Sequence, residues 1–334
     1  LGDISQQAQI SHDLGMLYNV LGERQKILDY LEQAKQLYTQ INDQKGLALT
    51  LSNMGWIHYF FLGAKQKGME LYLQSLEIYE KTGDRFGETN ILIQIAWGYY
   101  GLGDRQKAIN HYEKAIKIAQ QIGYKDGEAK AAIYLSQVYE SLGNQSLAIK
   151  GLIRAEKIYT ELGNQSELAR VYRHLGSFYG SFKQPQKGIK FYQKSILAYQ
   201  KLGQKIDEYL VLRDLGRLYK YMGNLPKALD TFKQSLAINK LIGDRFGEAD
   251  ALYEIAQIES EQNQLQKALT AIESSIKITE NLRRSVYNQN LRSAFFANRR
   301  DRYEFHINLL MKLHENYPKS GFDRQALYVS ESSR

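Results

Sequence analysis

Two sets of basic side chains each fall on one face of a helical stretch, at spacings of three, four or seven residues. The sets are Arg170, Arg173 and His174, and Arg213, Arg217 and Lys220. These spacings bring side chains to one face because an α-helix has about 3.6 residues per turn. Guanidinium groups bind carboxylate and phosphate groups through paired hydrogen bonds. The pattern therefore predicts an anion-binding surface, and the alternative interpretation is an ordinary solvated helical face.

No set of residues in the sequence predicts catalysis. The chain has no cysteine, which excludes disulfides, thiolate metal sites and a cysteine nucleophile, and its six histidines lack metal-ligand spacing. Gly63 and Gly68 have the spacing of a phosphate-binding loop, but Met69 and Glu70 follow where Lys and Ser or Thr are required. We therefore expect a protein that is not an enzyme and that needs no cofactor or metal.

The elements that must position the basic side chains repeat along the chain. An apolar stripe of helical period covers residues 89–102, a Gly103-Asp104 turn follows, and a second stripe covers residues 106–122. By subtraction of residue numbers, one large apolar residue of the first stripe recurs every 40 residues, at Ile95, Leu135, Leu175, Leu215 and Ile255. The upstream copies keep this phase if one extra residue is allowed between Trp56 and Gly63. Seven helical hairpins are predicted.

Small residues and helix stops recur with the same period. Six units end at a residue that readily adopts the left-handed conformation, namely Asn42, Gly83, Gly123, Gly163, Gly203 and Gly243. A small residue recurs where the second helix of a hairpin crosses the first, at Gly68, Ala108, Ala148, Gly188, Ala228 and Ala268. Small side chains let two helix backbones approach closely, so these positions predict tight packing within each hairpin.

At these residues the chain resembles the tetratricopeptide repeat family. The family's pattern of a large apolar residue, a small residue, Tyr, Ala, an aromatic residue and Ala is matched by Ile95, Ala96, Tyr99, Ala108, Tyr112 and Ala115. The repeats here are longer and lack the family's closing proline. The resemblance implies an all-α fold, a right-handed α-solenoid or superhelix of tandem helix-turn-helix repeats. We expect the array over residues 1–283, capping or extension helices over 284–317, and a further helix or linker over 318–334.

Both ends of the chain suggest a longer parent protein. Leu1, Gly2 and Asp3 stand in the phase of the turn between units, so we expect at least one more repeat upstream. Residues 281–284, 291–297, 303–305 and 325–331 resemble the segment that joins tetratricopeptide arrays to the caspase-like CHAT domain in bacterial, notably cyanobacterial, proteins. This second resemblance implies a recognition arm of a larger bacterial protein, and it implies no catalytic role for these residues.

The first resemblance also indicates which side chains line the concave face of the array. In that family the first helix of each repeat builds this face. Carried across, the positions form an aromatic half, Trp56, Tyr59, Phe60, Trp97 and Tyr100, and a basic half, Arg170, Arg173, His174, Arg213, Arg217 and Lys220. A segment of protein or peptide with an acidic or carboxylate-ended part and an apolar anchor fits such a groove. For Trp56 and Trp97, packing between units is the alternative.

Three functions follow as expectations. The first is a non-catalytic scaffold that binds a partner segment in the groove. The second is a peptide-sensing receptor, resembling tetratricopeptide quorum-sensing regulators, in which a peptide closes the superhelix and changes an attached effector domain. The third and weakest is nucleic-acid binding, suggested by the net charge of +8 and by Arg283, Arg284, Arg292, Arg299, Arg300 and Arg302. No apolar run reaches membrane-spanning length and no signal segment is present, so we expect a cytoplasmic location.

Overall fold

The computed structural model describes residues 2–21, 24–285 and 300–332. Within these ranges the chain is helical and has no strand. The helices are α1 Gly2–Leu21, α2 Arg24–Gln40, α3 Gln44–Trp56, α4 Lys65–Thr82, α5 Arg85–Gly101, α6 Arg105–Gln121, α7 Lys125–Ser141, α8 Gln145–Glu161, α9 Gln165–Ser181, α10 Pro185–Leu202, α11 Lys205–Tyr221, α12 Leu225–Ile242, α13 Arg245–Glu261, α14 Leu265–Ser285, α15 Arg300–Asn316 and α16 Phe322–Ser332.

The helices divide between two compact units, Leu1–Asn164 and Gln165–Arg334. The first unit contains four helical hairpins, α1 to α8. The second contains three hairpins, α9 to α14, followed by α15 and α16. In each hairpin we call the first helix the A helix and the second the B helix. The predicted all-α solenoid of tandem helix-turn-helix repeats is confirmed in both units. None of the described helices is both long and apolar enough to cross a membrane.

Turn chemistry fixes the ends of the helices as the sequence predicted. Gly83 closes α4 with a φ of 68°, a left-handed conformation that glycine adopts without strain. One residue later, the Asp84 carboxylate accepts a hydrogen bond of 2.9 Å from the Gly87 N–H and caps α5. Asp43, Asp104, Asn144, Asn224 and Asp244 cap the following helices in the same way.

Each hairpin is held by close backbone approach and by buried serines. A methyl group added to Gly68 would come within 2.7 Å of the Gly55 carbonyl oxygen, so α4 lies directly on the backbone of α3. Serines on the B helices donate hydrogen bonds of 2.7 Å to A-helix carbonyls, as Ser75 does to Ala48 and Ser195 does to Ala169. These bonds satisfy polar groups that have lost contact with water.

A row of buried glutamates near the start of the A helices was not predicted from the sequence. The residues are Glu88, Glu128, Glu208 and Glu248, and each forms an ion pair with a basic residue three positions earlier. Three of them gain a second partner from a B helix of their own unit, and for Glu208 this is Gln200, which donates a hydrogen bond of 2.8 Å. Lys114 lies 3.2 Å from Glu88, and Arg154 donates a hydrogen bond of 2.6 Å to Glu128. The ion pairs explain how these carboxylates are tolerated in the interior.

The extra residue predicted between Trp56 and Gly63 has a structural counterpart. The end of the A helix α3 widens into a π-helical turn, Ile57–Phe61, and the Leu62 N–H donates to the Ile57 carbonyl at 3.2 Å. A π-helical turn spans five residues where an α-helical turn spans four, so it accommodates one added residue. The following hairpins keep the 40-residue spacing.

Helix α14 extends to Ser285, two residues past the predicted end of the repeat array. Of the predicted capping or extension segment over residues 284–317, the structure describes 284–285 and 300–317, and residues 286–299 lie outside the described residues. Helix α15 packs Leu309, Leu310 and Leu313 against Leu269 and Ile272 of α14, and α16 follows it. The last hairpin of the second unit is therefore covered by non-repeat helices.

Candidate functional site

The predicted basic residues lie on two successive A helices of the second unit, where acids of the next A helix pair with them. The Nε of Arg173 on α9 lies 2.6 Å from Asp214 Oδ2 on α11. One step further, Arg217 Nε on α11 lies 2.6 Å from Glu254 Oε1 on α13. Lys220 lies 3.4 Å from Glu261 and donates a hydrogen bond of 2.6 Å to Gln257. We call this row of interhelical ion pairs the charge ladder.

The remaining two arginines of the basic set are also close to acids. Arg170 pairs with Glu167 on its own helix, and Arg213 Nε lies 3.6 Å from Asp214 Oδ1. Five cations therefore face four carboxylates, so acids compensate most of the positive charge of the predicted basic half. Asp214 was visible in the sequence, but Glu254 and Glu261 lie on the next hairpin, where no local pattern connects them to the arginines.

His174 belongs to the same face but carries no charge near neutral pH. Burial, together with the positive charges of Arg173 and Arg170, lowers the pKa of His174 to about 3. A neutral imidazole donates through one ring nitrogen and accepts through the other. His174 is therefore a hydrogen-bonding residue of this face, which corrects its assignment to a basic set.

An open cleft of about 320 Å³ lies beside the charge ladder, between α9 and α11. Gly180 leaves space on the α9 side of the cleft because it has no side chain. A methyl group added to Gly180 would come within 3.2 Å of Leu218 on α11. Tyr221 stands at the edge and is 72% exposed. The residues lining the cleft are Ser177, Gly180, Ser181, Tyr192, Asp214, Leu218 and Tyr221. None of these residues belongs to the predicted aromatic half or basic half of the groove.

In the first unit, three of the predicted aromatic residues form one cluster around the π-helical turn. The ring centroids of Phe60 and Trp97 are 4.5 Å apart, and those of Trp56 and Phe60 are 5.7 Å apart. Phe60 is 40% exposed, so the cluster reaches the surface. We call Trp56, Phe60 and Trp97 the aromatic patch.

The other two predicted aromatic residues have different surroundings. Tyr59 is only 4% exposed, and its hydroxyl donates a hydrogen bond of 2.9 Å to the Gly98 carbonyl oxygen. Tyr100 is partly buried against the core of α5 to α7. The assignment of Tyr59 to a ligand-facing surface therefore needs correction, because its ring and hydroxyl are used in packing α5 against the π-helical turn.

The arginines proposed for nucleic-acid binding are engaged wherever the structure describes their side chains. Arg283 lies 3.1 Å from Glu280, and Arg300 lies 3.0 Å from Glu304. Arg302 is buried and pairs with Asp250 of α13. The side chains of Arg284, Arg292 and Arg299 lie outside the described residues.

Comparison with known proteins gives the same fold. One tetratricopeptide repeat model matches residues 6–81, 62–121, 87–161 and 167–241, and a second matches residues 249–282. No curated protein matches the chain by sequence.

Several solved structures are similar to the chain in fold. The apo form of RapI is 15% identical and has a TM-score of 0.61, with 83% of this chain and 99% of that chain covered. A Rap protein complexed with Competence and Sporulation Factor is 14% identical at a TM-score of 0.59, with 95% of this chain and 87% of that chain covered. A STAND protein with a tetratricopeptide repeat sensor from Pyrococcus horikoshii is 16% identical at a TM-score of 0.58; the match covers 97% of this chain and about half, 52%, of that chain.

At these identities the solved structures bear on the fold alone. The repeat models match more than half of the residues, in the phase of the hairpins that the structure shows. The chain therefore belongs to the tetratricopeptide repeat family.

Proposed function

We propose that the chain is a non-catalytic protein-interaction module that binds an extended partner segment on the A-helix face of its second unit. The observation that carries this proposal is the open cleft between α9 and α11, bordered by the charge ladder. Such a cleft offers rigid walls with polar groups already in place, which lowers the entropic cost of binding a flexible segment.

The charge ladder favours a segment with a single carboxylate over a strongly acidic one. Arg173 and Arg217 each direct Nε toward an acid of the next A helix, and the Arg217 side chain remains 56% exposed. A guanidinium has five N–H donors, so a ligand carboxylate can share it with the resident acid. A run of ligand acids would instead meet Asp214 and Glu254 at close range. A carboxylate-ended segment with an apolar neighbour fits this surface.

The aromatic patch of the first unit is proposed as a separate anchor site for an apolar side chain. Phe60 is exposed, and its ring packs against those of Trp56 and Trp97. Because this packing already restricts its rotamers, the ring offers contact area with little further loss of side-chain entropy on binding. This part of the proposal is tested by Phe60→Ala, which shortens an exposed side chain and leaves both tryptophans in place.

The test of the ladder-and-cleft surface is binding of a peptide library in which every sequence is present with a free and with an amidated C-terminus. We expect hits that prefer the free carboxylate and that lose at least about tenfold in affinity in the double variant Arg173→Gln and Arg217→Gln. Glutamine keeps a long polar stem and avoids the repulsion between acids that charge reversal would create.

The matched control is Lys190→Gln with Lys233→Gln, which removes the same charge from exposed positions of the B helices α10 and α12. Equal binding by both double variants would contradict a role of the charge ladder. A library without hits for the native chain would remove the proposed cleft function altogether.

The second candidate is a peptide receptor that changes shape on binding. The similarity to the Rap protein complexed with Competence and Sporulation Factor favours it, because that match covers 95% of this chain. Small-angle scattering distinguishes the candidates. A module that keeps its curvature retains its radius of gyration when a hit peptide is added, whereas a receptor compacts. Our first proposal predicts no change.

A further inference from the structure

A recurring tyrosine on the B helices lies over a glycine of the next A helix. A methyl group added to Gly46 would come within 2.4 Å of the Tyr38 ring, and one added to Gly87 within 2.2 Å of the Tyr79 ring. The glycine is therefore needed to admit the ring. We call this space between a B helix and the next A helix the tyrosine slot.

In α12 the same repeat position is Asn239, although the glycine opposite is kept. Gly247 of α13 faces Asn239, and a methyl group added to it would come within 2.5 Å of Asn239 Oδ1 and 2.7 Å of Asp244 Oδ2. The shorter side chain leaves a pocket of about 80 Å³ in the slot. The residues lining this pocket are Tyr209, Arg213, Ser235, Asn239, Asp244, Phe246, Gly247, Asp250 and Ala251.

The polar groups of Asn239 make the pocket chemically distinctive. Asn239 is 1% exposed, and neither its amide nitrogen nor its amide oxygen has a hydrogen-bond partner among the described residues. The buried Nε of Arg213 likewise lacks a hydrogen-bond acceptor in the described part of the chain and has only the 3.6 Å approach to Asp214. Buried polar atoms without partners are costly, so they indicate a group that binds there.

The space after α14, where α15 follows instead of an A helix, shows that a polar planar group from outside the repeats can occupy the equivalent position. There the repeat position is Thr279, and Arg302 of α15 inserts its guanidinium. Arg302 donates a hydrogen bond of 2.8 Å to Thr279 Oγ1, pairs with Asp250, and stacks 5.6 Å from the Tyr253 ring centre. The described residues that line the pocket beside Asn239 all belong to repeat hairpins, so no residue from outside the repeats inserts there.

The charges around the Asn239 pocket select an uncharged occupant. Asp244 and Asp250 disfavour a carboxylate, while Arg213 and the Arg302 paired with Asp250 disfavour a second cation. The unpartnered donors and acceptors of Asn239 and Arg213 require a group that carries both kinds of hydrogen-bonding atom. We infer that the pocket beside Asn239 is a binding site for a carboxamide, either a free small amide or the side chain of an asparagine or glutamine in a bound segment.

A carboxamide satisfies the unpartnered atoms in a complementary way. Its oxygen accepts from Asn239 Nδ2 and Arg213 Nε, and its amino group donates to Asn239 Oδ1 and Asp244. The pairing holds for either orientation of the Asn239 amide, because both of its ends lack partners. Helix α11 lines both the pocket and the cleft, the pocket with Arg213 and the cleft with Asp214. The side-chain source rests on the proposed function; the free-amide source does not.

The first experiment uses three planar molecules of equal size and different charge, namely acetamide, acetate and acetamidinium. Saturation-transfer NMR of each methyl group is recorded with the full chain and with Asn239→Tyr, which restores the tyrosine found at this position in other B helices. We expect the saturation-transfer signal of acetamide to reach a plateau as its concentration is raised, and to be at least about tenfold weaker with Asn239→Tyr. For acetate and acetamidinium we expect no difference between the native chain and the variant.

Circular dichroism checks that Asn239→Tyr is folded, and Lys190→Gln is the control that leaves the pocket unchanged. If the tyrosine does not fit, Asn239→Leu removes both polar atoms of the side-chain amide and gives the same expected loss. A variant-sensitive signal from acetate or acetamidinium overturns the carboxamide assignment. An acetamide signal that is absent, or equal in native chain and variants, overturns the site.

The second experiment distinguishes the two sources. Peptide hits for the cleft are resynthesised with each glutamine or asparagine changed to glutamate, aspartate or leucine. Loss of affinity for one such change with the native chain, and not with Asn239→Tyr, places the side chain in the pocket. Acetamide binding without any peptide hit retains the pocket and rejects the proposed function, whereas hits that do not depend on an amide side chain reject only the side-chain source.

Discussion

At the scale of single residues, buried histidines are held without charge. His12 of α1 is 5% exposed and lies between two polar side chains of α3, with Nδ1 3.0 Å from Thr50 Oγ1 and Nε2 3.0 Å from the Asn53 amide nitrogen. Burial lowers the pKa of His12. His306 of α15 is also buried, and neither ring nitrogen has a hydrogen-bond partner among the described residues. Such residues link stability to pH.

His306 predicts acid sensitivity of α15. Burial lowers the pKa of His306 to about 4 from 6.5. The unfolded chain therefore binds a proton below pH 6.5 that the folded chain refuses until about pH 4. Stability is full above pH 6.5 and falls as the pH decreases toward 4, by up to about 3 kcal/mol. The measurement is hydrogen-exchange protection of α15 between pH 4 and 7, corrected for intrinsic exchange.

His306→Leu should remove most of this acid-induced loss of protection, because leucine has no proton to bind. His111→Leu, on the more exposed face of α6, should leave it unchanged. An acid-induced loss of the same size in His306→Leu would show that another group controls the protection of α15.

Residue-level partners were the part of the site least accessible to sequence reasoning. The periodicity placed Arg173 and Arg217 each with the other basic residues of its own helix. In the structure they lie on the successive A helices α9 and α11. Their acids come from helices 41 and 37 residues away, a separation at which a single sequence gives no pairing signal. The pocket beside Asn239 was missed for a related reason. Its signal is the replacement of a repeated tyrosine by asparagine opposite a retained glycine, which requires comparison of two repeat positions at once.

At the scale of helices and hairpins, the sequence predicted most of what the structure shows. Helix period, glycine stops and small crossing residues all depend on neighbours within one hairpin, so one repeat contains the information. The exact form of the added residue in the first unit was not predictable, because a loop, a bulge or a π-helical turn can each take it up. The aromatic patch depends on this choice, since the turn carries Phe60.

The close crossing of α9 and α10 predicts that a glycine-to-alanine substitution destabilises the fold, although the same substitution usually stabilises a helix. Glycine to alanine in an exposed helix interior stabilises by up to about 1 kcal/mol through propensity alone. At Gly188 of α10 an added methyl group would come within 2.8 Å of the Gly176 carbonyl oxygen of α9. We expect Gly188→Ala to destabilise the second unit by about 1–3 kcal/mol, measured as a lower urea midpoint by circular dichroism.

The control for this prediction is an exposed residue of the same helix, Gln186→Ala, which should change stability by less than about 0.5 kcal/mol. A stabilising Gly188→Ala would show that α9 and α10 can separate without cost, and it would contradict the close-packed crossing described above.

At the scale of the whole chain, the net charge of +8 is less available to a polyanion than its size suggests. Many lysines and arginines are paired with acids within a turn or across neighbouring helices. Repeat proteins place most contacts between sequence neighbours, and this is why the fold class was readable from one chain. Charge compensation between hairpins was not readable, and of the acidic or carboxylate-ended ligands that were expected it favours, in our proposal, the carboxylate-ended one.

This compensation predicts that binding to nucleic acid is weak and involves few phosphate contacts. We expect fluorescence anisotropy with a labelled DNA duplex to show binding at 50 mM salt that is lost by 200 mM, with a logarithmic salt slope shallower than about −3. Each phosphate contact contributes about −0.9 to this slope, so a slope of −6 or steeper would reveal an extended phosphate-binding surface and contradict the assignment.

The π-helical turn of the first unit has a consequence for how such a chain changes over generations. In a continuous α-helix, one added residue rotates all side chains beyond it by about 100°. Here the added residue is taken up within Ile57–Phe61, and Ile95 and its later equivalents keep their common spacing. A gene for this array can therefore gain a codon in one repeat while the remaining repeats stay in register. Mutation can then change the exposed aromatic residues of one hairpin without disturbing the others.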